Sequence, residues 1–434
     1  MNAPRVRFYF DFSCPYAYVA STLVEAMAER AGAELDVRPI LLGGVFRARS
    51  TPQNLSEVLP PAKARHNFAD MQRQAALAGV PLRMPSGHPL RTVEALRALL
   101  VVGEPYLKLA RHFFHAYWAE GEAISEEAVL RRVLAAAGHE PDPILAKIAT
   151  PEVKAELRAR TDEAIEAGVF GVPTFVVEDG KPNGLYWGVD RMAMVEARLR
   201  EASGVGAPEE AQVDPQAPAR GVDIFFDYSS PFAYLGCHLA EVRLGDAARW
   251  RPMLLGAVFK SVGTVNVPLF TFHETKRRHA SLDLQRQAAA MGAPYQFPTR
   301  FPMNTVLALR MTLAADRDAQ ILDHAEGRRF VHAIFRAYWA EDRDISDPEV
   351  LAGIADDCGL DGAALVAAAT HQPIKDALRE STGAAIDAGV FGAPSFVVDT
   401  PAGPELFWGA DRLELAERVA RGDDSLAVMG GGQG

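Results

Sequence analysis

Two short segments place a thiol or hydroxyl side chain directly before a proline that suits the first turn of a helix. They are Cys14-Pro15 and Ser230-Pro231, and each follows an apolar run. Proline fits a helix start because its φ is fixed and its missing N–H is not needed there. The free N–H groups and the dipole of a helix start favour a negative sulfur. They therefore predict a lowered pKa for a thiol at this position, whether it belongs to the protein or to a bound ligand. The alternative is that Ser13 and Ser230 are ordinary helix caps, which Cys14 weakens in the first segment.

Two further prolines stand at the start of apolar, strand-like runs. The segments are Gly171-Val172-Pro173-Thr174-Phe175 and Gly392-Ala393-Pro394-Ser395-Phe396. Proline cannot donate to a sheet ladder, so it marks an edge, the first residue of a strand or a cis turn. A cis proline would leave the backbone of Val172 or Ala393 available to an extended peptide. A proline that merely begins a strand explains the pattern equally well.

Two aspartates lie where a strand-like run meets a helical run near the end of each pattern. They belong to Trp187-Gly188-Val189-Asp190-Arg191 and Trp408-Gly409-Ala410-Asp411-Arg412. Asp190 and Asp411 suit either a helix N-cap or the binding of a ligand ammonium group, and the two roles are compatible.

All of these segments occur twice in the same order because the chain repeats itself, with a period of roughly 216 residues. Residues 163–177 match residues 384–398 at 11 of 15 positions. A period of this length indicates duplication of a whole domain, not a solenoid. We therefore predict domains at 1–202 and 220–421, joined by a Gly-, Pro- and Ala-rich linker at 203–219 and followed by a flexible tail at 422–434.

Each copy predicts the same order of elements around these segments. A strand, a helix, a second strand, a long helical insert, two strands and a closing helix follow one another, which is an α/β arrangement. The inserts are expected at about 62–168 and 275–389. The strands expected in the two copies lie at 6–12, 34–42, 172–177 and 185–187, and at 222–228 and 249–255.

Composition narrows the class of protein. The net charge of −11 argues against nucleic acid or an anionic membrane as the main partner, because both reward a basic face. No window approaches the roughly 18 apolar residues of a membrane span. The cysteines Cys14, Cys237 and Cys358 form neither a disulfide framework nor a close metal pair, and His112 with His115 suits helix packing. We expect a cytoplasmic protein without a metal, with Cys237 and Cys358 as buried small side chains.

Taken together, the segments resemble a thioredoxin-like family of 2-hydroxychromene-2-carboxylate isomerases, kappa-class glutathione transferases and oxidoreductases related to the periplasmic disulfide-forming enzymes. The matching motifs are F-D-x-x-S-P-[YF]-[AS]-Y, V-F-G-[VA]-P and W-G-x-D-R, and the resemblance covers nearly all of both copies. It implies an α/β, thioredoxin-like fold with an inserted all-helical domain, duplicated in tandem. It also implies glutathione as the cofactor.

The resemblance implies a role for each matching residue. Ser230 and Cys14 fall on the catalytic serine that keeps the sulfur of glutathione as a thiolate. The residues implied to hold the rest of glutathione are Val172, Pro173, Val189, Asp190, Ala393, Pro394, Ala410 and Asp411. The residues implied near an anionic substrate are Asn304 of the segment Met303-Asn304-Thr305, Lys63 and Lys276.

Departures from the family pattern concentrate in the first copy. Cys14 replaces the serine, and Ala17 stands where a C-x-x-C pair would have its second cysteine, which argues against a dithiol oxidase. Leu90-Arg91-Thr92 replaces Met-Asn-Thr. An asparagine typical of the transferases falls on Thr51 and Thr264.

The second copy therefore predicts a glutathione-dependent isomerase of an aromatic-catabolism intermediate, with a small aromatic or carboxylated substrate. One alternative is a kappa-type transferase or peroxidase, or a monothiol oxidoreductase acting through Cys14. Another is a glutathione-binding pseudo-dimer in which one or both sites are degenerate. The duplication further predicts an intramolecular pseudo-dimer, because related single-domain proteins pair as homodimers.

Overall fold

The computed structural model of the protein describes residues 3–54, 56–206 and 220–428. Most of the predicted linker, residues 207–219, lies outside this part, as do residues 429–434 of the predicted tail. The described start of the tail differs from the flexible end that we expected. Residues Asp424–Leu426 form a 3₁₀ turn, and the Leu426 side chain is buried.

The chain forms two compact units that do not follow the sequence copies everywhere. The first unit consists of Met1–Val58, Met71–Gln212 and His273–His279. The second unit consists of Leu59–Asp70, Val213–Phe272 and Ala280–Gly434. A short segment of each sequence copy thus belongs to the unit that contains most of the other copy.

The sheet of the first unit has the strand order β2-β1-β3-β4. Its strands are β1 (Arg5–Phe10), β2 (Glu34–Pro39), β3 (Thr174–Glu178) and β4 (Leu185–Trp187). Strand β1 runs parallel to β2 and antiparallel to β3, and β3 runs antiparallel to β4. Phe8 on β1 lies opposite Val37 and Phe175, so the centre of the sheet is apolar.

The second unit repeats this sheet with the order β6-β5-β7-β8. Its strands are β5 (Val222–Phe226), β6 (Ala248–Pro252), β7 (Ser395–Thr400) and β8 (Gly403–Trp408). The pairing is the same, with β5 parallel to β6 and antiparallel to β7. The α/β fold that the sequence predicts is therefore confirmed for both copies.

Helices make up most of the remaining described chain. Along the first copy they are α1 (Pro15–Arg30), α2 (Leu42–Ala48), α3 (Pro61–Leu77), α4 (Val93–Val102), α5 (Tyr106–Trp118), α6 (Glu127–Ala136), α7 (Pro141–Ile148), α8 (Pro151–Glu166) and α9 (Met192–Ser203). Along the second copy they are α10 (Pro231–Leu244), α11 (Leu255–Ser261), α12 (Glu274–Ala290), α13 (Val306–Ala319), α14 (Ala325–Trp339), α15 (Pro348–Asp357), α16 (Gly362–Ala368), α17 (Gln372–Asp387) and α18 (Leu413–Ala420).

The aromatic runs of α5 and α14 pack against the strand ends that carry Cys14 and Ser230. The buried indole of Trp118 donates to the Phe12 carbonyl at 2.8 Å. Trp339 makes the matching bond to the Tyr228 carbonyl at 2.8 Å. A buried indole N–H needs such an acceptor, so each bond holds the end of a strand against the helical insert.

The second strand of each copy ends sooner than its sequence predicts. We expected strands at 34–42 and 249–255, but helices α2 and α11 begin at Leu42 and Leu255. The reason is a contact distant in sequence. The carboxylate of Asp11 accepts the N–H of Leu42 at 2.7 Å, and Asp227 accepts that of Leu255 at 2.8 Å, which satisfies free donors of the helix start.

Among the described residues, no helix is long and apolar enough to cross a membrane. Cys237 is fully buried in the core of the second unit, as predicted. Cys358 is only partly buried and packs against the same core.

Candidate functional site

Ser230 lies at the junction between β5 and α10 and makes two hydrogen bonds there. Its hydroxyl donates to the carbonyl of Ala393 at 2.8 Å and accepts the N–H of Ala233 at 3.1 Å. The second bond makes Ser230 the N-cap of α10, with Pro231 at the first helical position. Ser230 is therefore a helix cap, as one interpretation from sequence held, and it also contacts the residue before Pro394. Its action on a bound thiol stays a prediction.

Cys14 occupies the same position at the start of α1 but behaves differently. Its Sγ donates to the carbonyl of Val172 at 3.0 Å, and the side chain does not cap the helix. Burial raises the pKa of the Cys14 thiol to about 12, and the N–H groups of Ala17 and Tyr16 offset this only in part. The lowered thiol pKa that we predicted from the helix start is therefore wrong for Cys14, because desolvation of the thiolate outweighs the helix.

The peptide bonds Val172-Pro173 and Ala393-Pro394 are both cis. The glycine before each pair lies against a tryptophan. A Cβ on Gly171 would lie 2.7 Å from the indole nitrogen of Trp187, and Gly392 is crowded by Trp408 in the same way. Only glycine leaves room for this close approach, so the tryptophan of W-G-x-D-R packs on the loop that carries the cis proline.

Asp190 and Asp411 lie in the 3₁₀ turns Val189–Arg191 and Ala410–Arg412. The N-caps of the following helices are Arg191 and Arg412, so neither aspartate is the helix cap that the sequence allowed. Each carboxylate lies beside the arginine that follows it, at 3.3 Å and 3.4 Å. Each side chain is about a quarter exposed or less, which leaves part of the carboxylate accessible to a ligand.

Asn304 and Arg91 are both exposed at the start of a helix in the insert. The Asn304 side-chain oxygen accepts the N–H of Val306 at 3.0 Å. Arg91 instead forms a salt bridge with Glu94 at 2.8 Å. The residue that follows each of them is a threonine in both copies. Thr305 and Thr92 are both buried.

Sequence reasoning assigned no role to Asp11 or Asp227, although both belong to the F-D-x-x-S-P motif. Asp227 is buried. Its carboxylate accepts the Thr305 hydroxyl at 2.7 Å and the Ser229 N–H at 2.9 Å, in addition to the Leu255 N–H described above. It therefore fixes the turn before Ser230 to the segment that contains Asn304. Burial raises the pKa of both aspartates. Their recurrence in both copies, directly after an apolar strand, was the available signal.

The two lysines lie against the tryptophans of the W-G-x-D-R segments. The ammonium of Lys63 is 4.8 Å from the centre of the Trp408 ring, in the second unit. The ammonium of Lys276 is 5.3 Å from the centre of the Trp187 ring, in the first unit. Each lysine is therefore grouped with the tryptophan of the other sequence copy, which the sequence did not indicate.

The second unit thus collects a hydroxyl at a helix start, a cis-proline loop, a partly exposed carboxylate and a lysine on an aromatic ring. Such a set can hold a zwitterionic peptide and keep its thiol ionised, because a hydroxyl and helix N–H groups stabilise a thiolate. The first unit keeps the arrangement but has a buried thiol in place of the hydroxyl. In the part of the chain that the structure describes, no group of His, Cys, Asp and Glu side chains could hold a metal ion.

Comparison with known proteins identifies the same unit twice. A model of the DSBA-like thioredoxin domain matches residues 5–200 and again residues 221–419. Two such domains in one chain are what the predicted pseudo-dimer requires.

Several characterised proteins are similar to one domain of the chain. The 2-hydroxychromene-2-carboxylate isomerase of Sphingobium xenophagum is 28% identical over 197 residues, which is 45% of this chain and 97% of that protein. Glutathione S-transferase kappa 1 of Rattus norvegicus is 29% identical over 213 residues, or 46% of this chain and 92% of that protein. A solved 2-hydroxychromene-2-carboxylate isomerase structure is 25% identical, with a TM-score of 0.42, and covers 47% of this chain and all of its own.

Proposed function

The chain belongs to the DSBA-like thioredoxin family, whose domain it carries twice, and from this we propose that its second unit is a glutathione-dependent isomerase. The proposed substrate is a small carboxylated aromatic compound of the 2-hydroxychromene-2-carboxylate type. The similarity to the Sphingobium xenophagum isomerase supports the reaction class. A cytoplasmic role in aromatic catabolism stays a prediction that follows from this reaction.

The observation that carries the proposal is the position of the Ser230 hydroxyl. It lies at the start of α10 and within hydrogen-bond distance of the carbonyl that precedes Pro394. A peptide that paired with the backbone of Ala393 would bring a cysteinyl sulfur next to this hydroxyl. Ser230 and the N–H groups of α10 would then favour the thiolate over the thiol.

Other residues of the second unit fit the remaining parts of glutathione and substrate. The Asp411 carboxylate is suited to the ammonium of the γ-glutamyl group, with the buried Ala410 backbone beside it. Asn304 is exposed near the turn that Asp227 fixes, where its amide can contact a polar substrate. When bound, glutathione would supply a thiolate that adds reversibly to a conjugated carbonyl compound, permits rotation about the former double bond and leaves again.

The first unit is proposed to bind glutathione weakly or not at all. Its Cys14 is held as a thiol that donates to Val172. An S–H group is a weaker donor to a bound thiolate than a hydroxyl, and at neutral pH the raised pKa of Cys14 disfavours its own attack on a disulfide. This argues against the monothiol oxidoreductase alternative. A kappa-type transferase remains the second candidate, because the Rattus norvegicus enzyme is 29% identical and would need the same thiolate.

A pair of alanine variants tests the proposal. Ser230→Ala should lower the turnover of 2-hydroxychromene-2-carboxylate, with glutathione present, by about hundredfold, since it removes the donor closest to the thiolate. The matched variant Cys14→Ala should retain turnover within about twofold. Glutathione affinity of each variant, measured by isothermal titration calorimetry, shows whether binding fails with the chemistry. Unchanged turnover in Ser230→Ala, or no glutathione binding by the natural protein, would contradict the proposal.

A further inference from the structure

Exposed aromatic side chains gather in the second unit beside the segment that carries Asn304. Phe270 lies in the 3₁₀ turn Pro268–Thr271 and is 57% exposed, and Phe297 is 41% exposed. Phe301 is partly exposed and contacts both, with its ring centre 6.1 Å from that of Phe270 and 5.1 Å from that of Phe297. We call these three phenylalanine rings the aromatic surface.

Two contacts hold the aromatic surface beside the turn that carries Ser230. The Phe301 ring centre is 6.1 Å from that of Trp339, whose indole donates to the carbonyl of Tyr228, two residues before Ser230. The N–H of Gln296 donates to the Trp339 carbonyl at 2.7 Å, which holds the loop that leads to Phe301. Trp339 itself is fully buried, so it supports the aromatic surface and is not part of it.

The first copy keeps the attachment of this loop but not the rings. The Arg83 N–H donates to the Trp118 carbonyl at 2.6 Å, as Gln296 does to Trp339. The matching residues, taken with the offset that pairs Arg91 with Asn304, are Glu57 for Phe270, Met84 for Phe297 and His88 for Phe301. The shared scaffold therefore does not require the rings. Apolar rings that the scaffold does not need and that are left in contact with water indicate a binding role.

The extent of the aromatic surface favours a ligand with several fused rings. Aromatic rings attract one another, stacked or edge to face, at centre separations of roughly 4.5–7 Å. A single benzene ring on Phe301 would leave most of the Phe270 and Phe297 rings in water. A flat group of three or more fused rings would contact all three side chains and would remove more apolar area from water.

We propose that the aromatic surface binds a polycyclic aryl group, so that the Ser230 site takes substrates with three or more fused rings, which are larger than a chromene. That the ligand is a substrate rests on the proposed function, whereas the binding of a fused-ring group rests on the exposed rings of Phe270, Phe297 and Phe301. The first unit, with Glu57 and His88 at matching positions, is expected not to bind such a group.

The fluorescent probe pyrene-1-carboxylate, which has four fused rings, tests the surface on the full chain by fluorescence anisotropy. The double variant Phe270→Gln, Phe297→Gln should weaken its binding by about tenfold or more, because two ring contacts are lost. The variant Phe270→Tyr, Phe297→Tyr keeps the rings and should retain the affinity within about threefold. The matched first-unit variant Glu57→Ala, Met84→Ala should leave it unchanged. Thermal unfolding of each variant shows that the chain is still folded.

Two glutathione conjugates test whether the aromatic surface serves the Ser230 site. Isothermal titration calorimetry compares S-(1-pyrenylmethyl)glutathione with S-benzylglutathione, which carries a single ring. The natural protein should bind the pyrenyl conjugate about tenfold more tightly. The variant Phe270→Gln, Phe297→Gln should lose most of this preference.

The outcomes separate this inference from the proposed function. If the glutamine variant binds pyrene-1-carboxylate as tightly as the natural protein does, the fused-ring site is overturned. If the pyrenyl conjugate binds no better than the benzyl conjugate, the link between the aromatic surface and the Ser230 site is overturned. If both probes behave as expected but Ser230→Ala retains full turnover of 2-hydroxychromene-2-carboxylate, the inference about binding stands and the proposed function fails.

Discussion

The starts of α1 and α10 have the same backbone arrangement but differ in one side-chain atom. Cys14 donates to Val172 at 3.0 Å and Ser230 donates to Ala393 at 2.8 Å, in each case to the residue before a cis proline. Only Ser230 also accepts a helix N–H. The scaffold around both atoms is therefore retained, while the capping bond is not.

Burial affects the Ser230 hydroxyl and the Cys14 thiol differently, because only the thiol would have to ionise in order to react. A buried hydroxyl stays neutral at every relevant pH and can turn from the Ala393 carbonyl to a bound thiolate. A buried thiol would have to ionise to become reactive, and desolvation of the thiolate opposes this. Replacing oxygen by sulfur thus exchanges a neutral, helix-capping hydroxyl for a buried thiol whose ionisation is opposed.

Thiol labelling against pH tests this comparison with the largest expected effect. A thiol with a pKa near 12 is ionised about a thousandfold less at pH 8 than an ordinary cysteine, so Cys14 should react with iodoacetamide about a thousandfold more slowly. Its labelling rate should still rise tenfold for each pH unit up to pH 10. Peptide mass spectrometry resolves Cys14 from the other two cysteines.

The control for accessibility is the urea-unfolded protein, in which all three cysteines should react at similar rates. In the native protein the partly buried Cys358 should react before Cys14. A Cys14 labelling rate that levels off near pH 8.5 would show an ordinary or activated thiol. The contrast between the two helix starts would then lose its physical basis.

The buried aspartates give a second test, because they have the same role in both units. Asp227→Asn replaces a carboxylate that accepts donors from Leu255, Ser229 and Thr305, and it should cost about 3 kcal/mol of stability in the second unit. Asp11→Asn should cost a similar amount in the first unit. Hydrogen exchange of β5 and β1 peptides, followed by mass spectrometry, reports the two units separately.

The two aspartate variants should differ in function although they resemble each other in stability. Asp227→Asn should also lower the turnover of the proposed isomerase reaction, because Asp227 fixes the turn before Ser230. Asp11→Asn should leave turnover near that of the natural protein under conditions where both variants are folded. Equal losses of turnover would mean that the Cys14 unit takes part in catalysis. That result would contradict the functional difference between the two units.

Much of this scaffold could be predicted from the sequence, because the patterns that indicate it are local along the chain and occur in both copies. The apolar runs that become β1 and β5, the prolines at the starts of α1 and α10, and the repeated order of elements all indicated the fold. The cis bonds before Pro173 and Pro394 were one of two interpretations that the residues allowed. The family resemblance favoured that one.

The errors came from contacts that are distant along the chain. The predicted strand at 34–42 ignored the bond from Leu42 to Asp11, which starts a helix instead. The lowered pKa of Cys14 followed from the helix start alone, whereas its value depends on burial by the whole unit. Likewise, no local pattern could reveal that Lys63 lies on Trp408.

The smallest expected effect concerns two hydroxyl groups, one in each unit. Their removal should cost the two units the same stability. Thr174 donates to the Gly171 carbonyl at 2.7 Å, and Ser395 donates to the Gly392 carbonyl at 2.9 Å, with both side chains fully buried. Thr174→Val and Ser395→Ala should each cost about 1 kcal/mol, since each leaves one buried carbonyl with a donor fewer. Thermal unfolding and hydrogen exchange of β3 and β7 measure the two costs. A cost near zero in the first unit would show that the loop before Pro173 does not depend on the Thr174 hydrogen bond. The difference between the two units would then extend to the scaffold, beyond the single sulfur of Cys14.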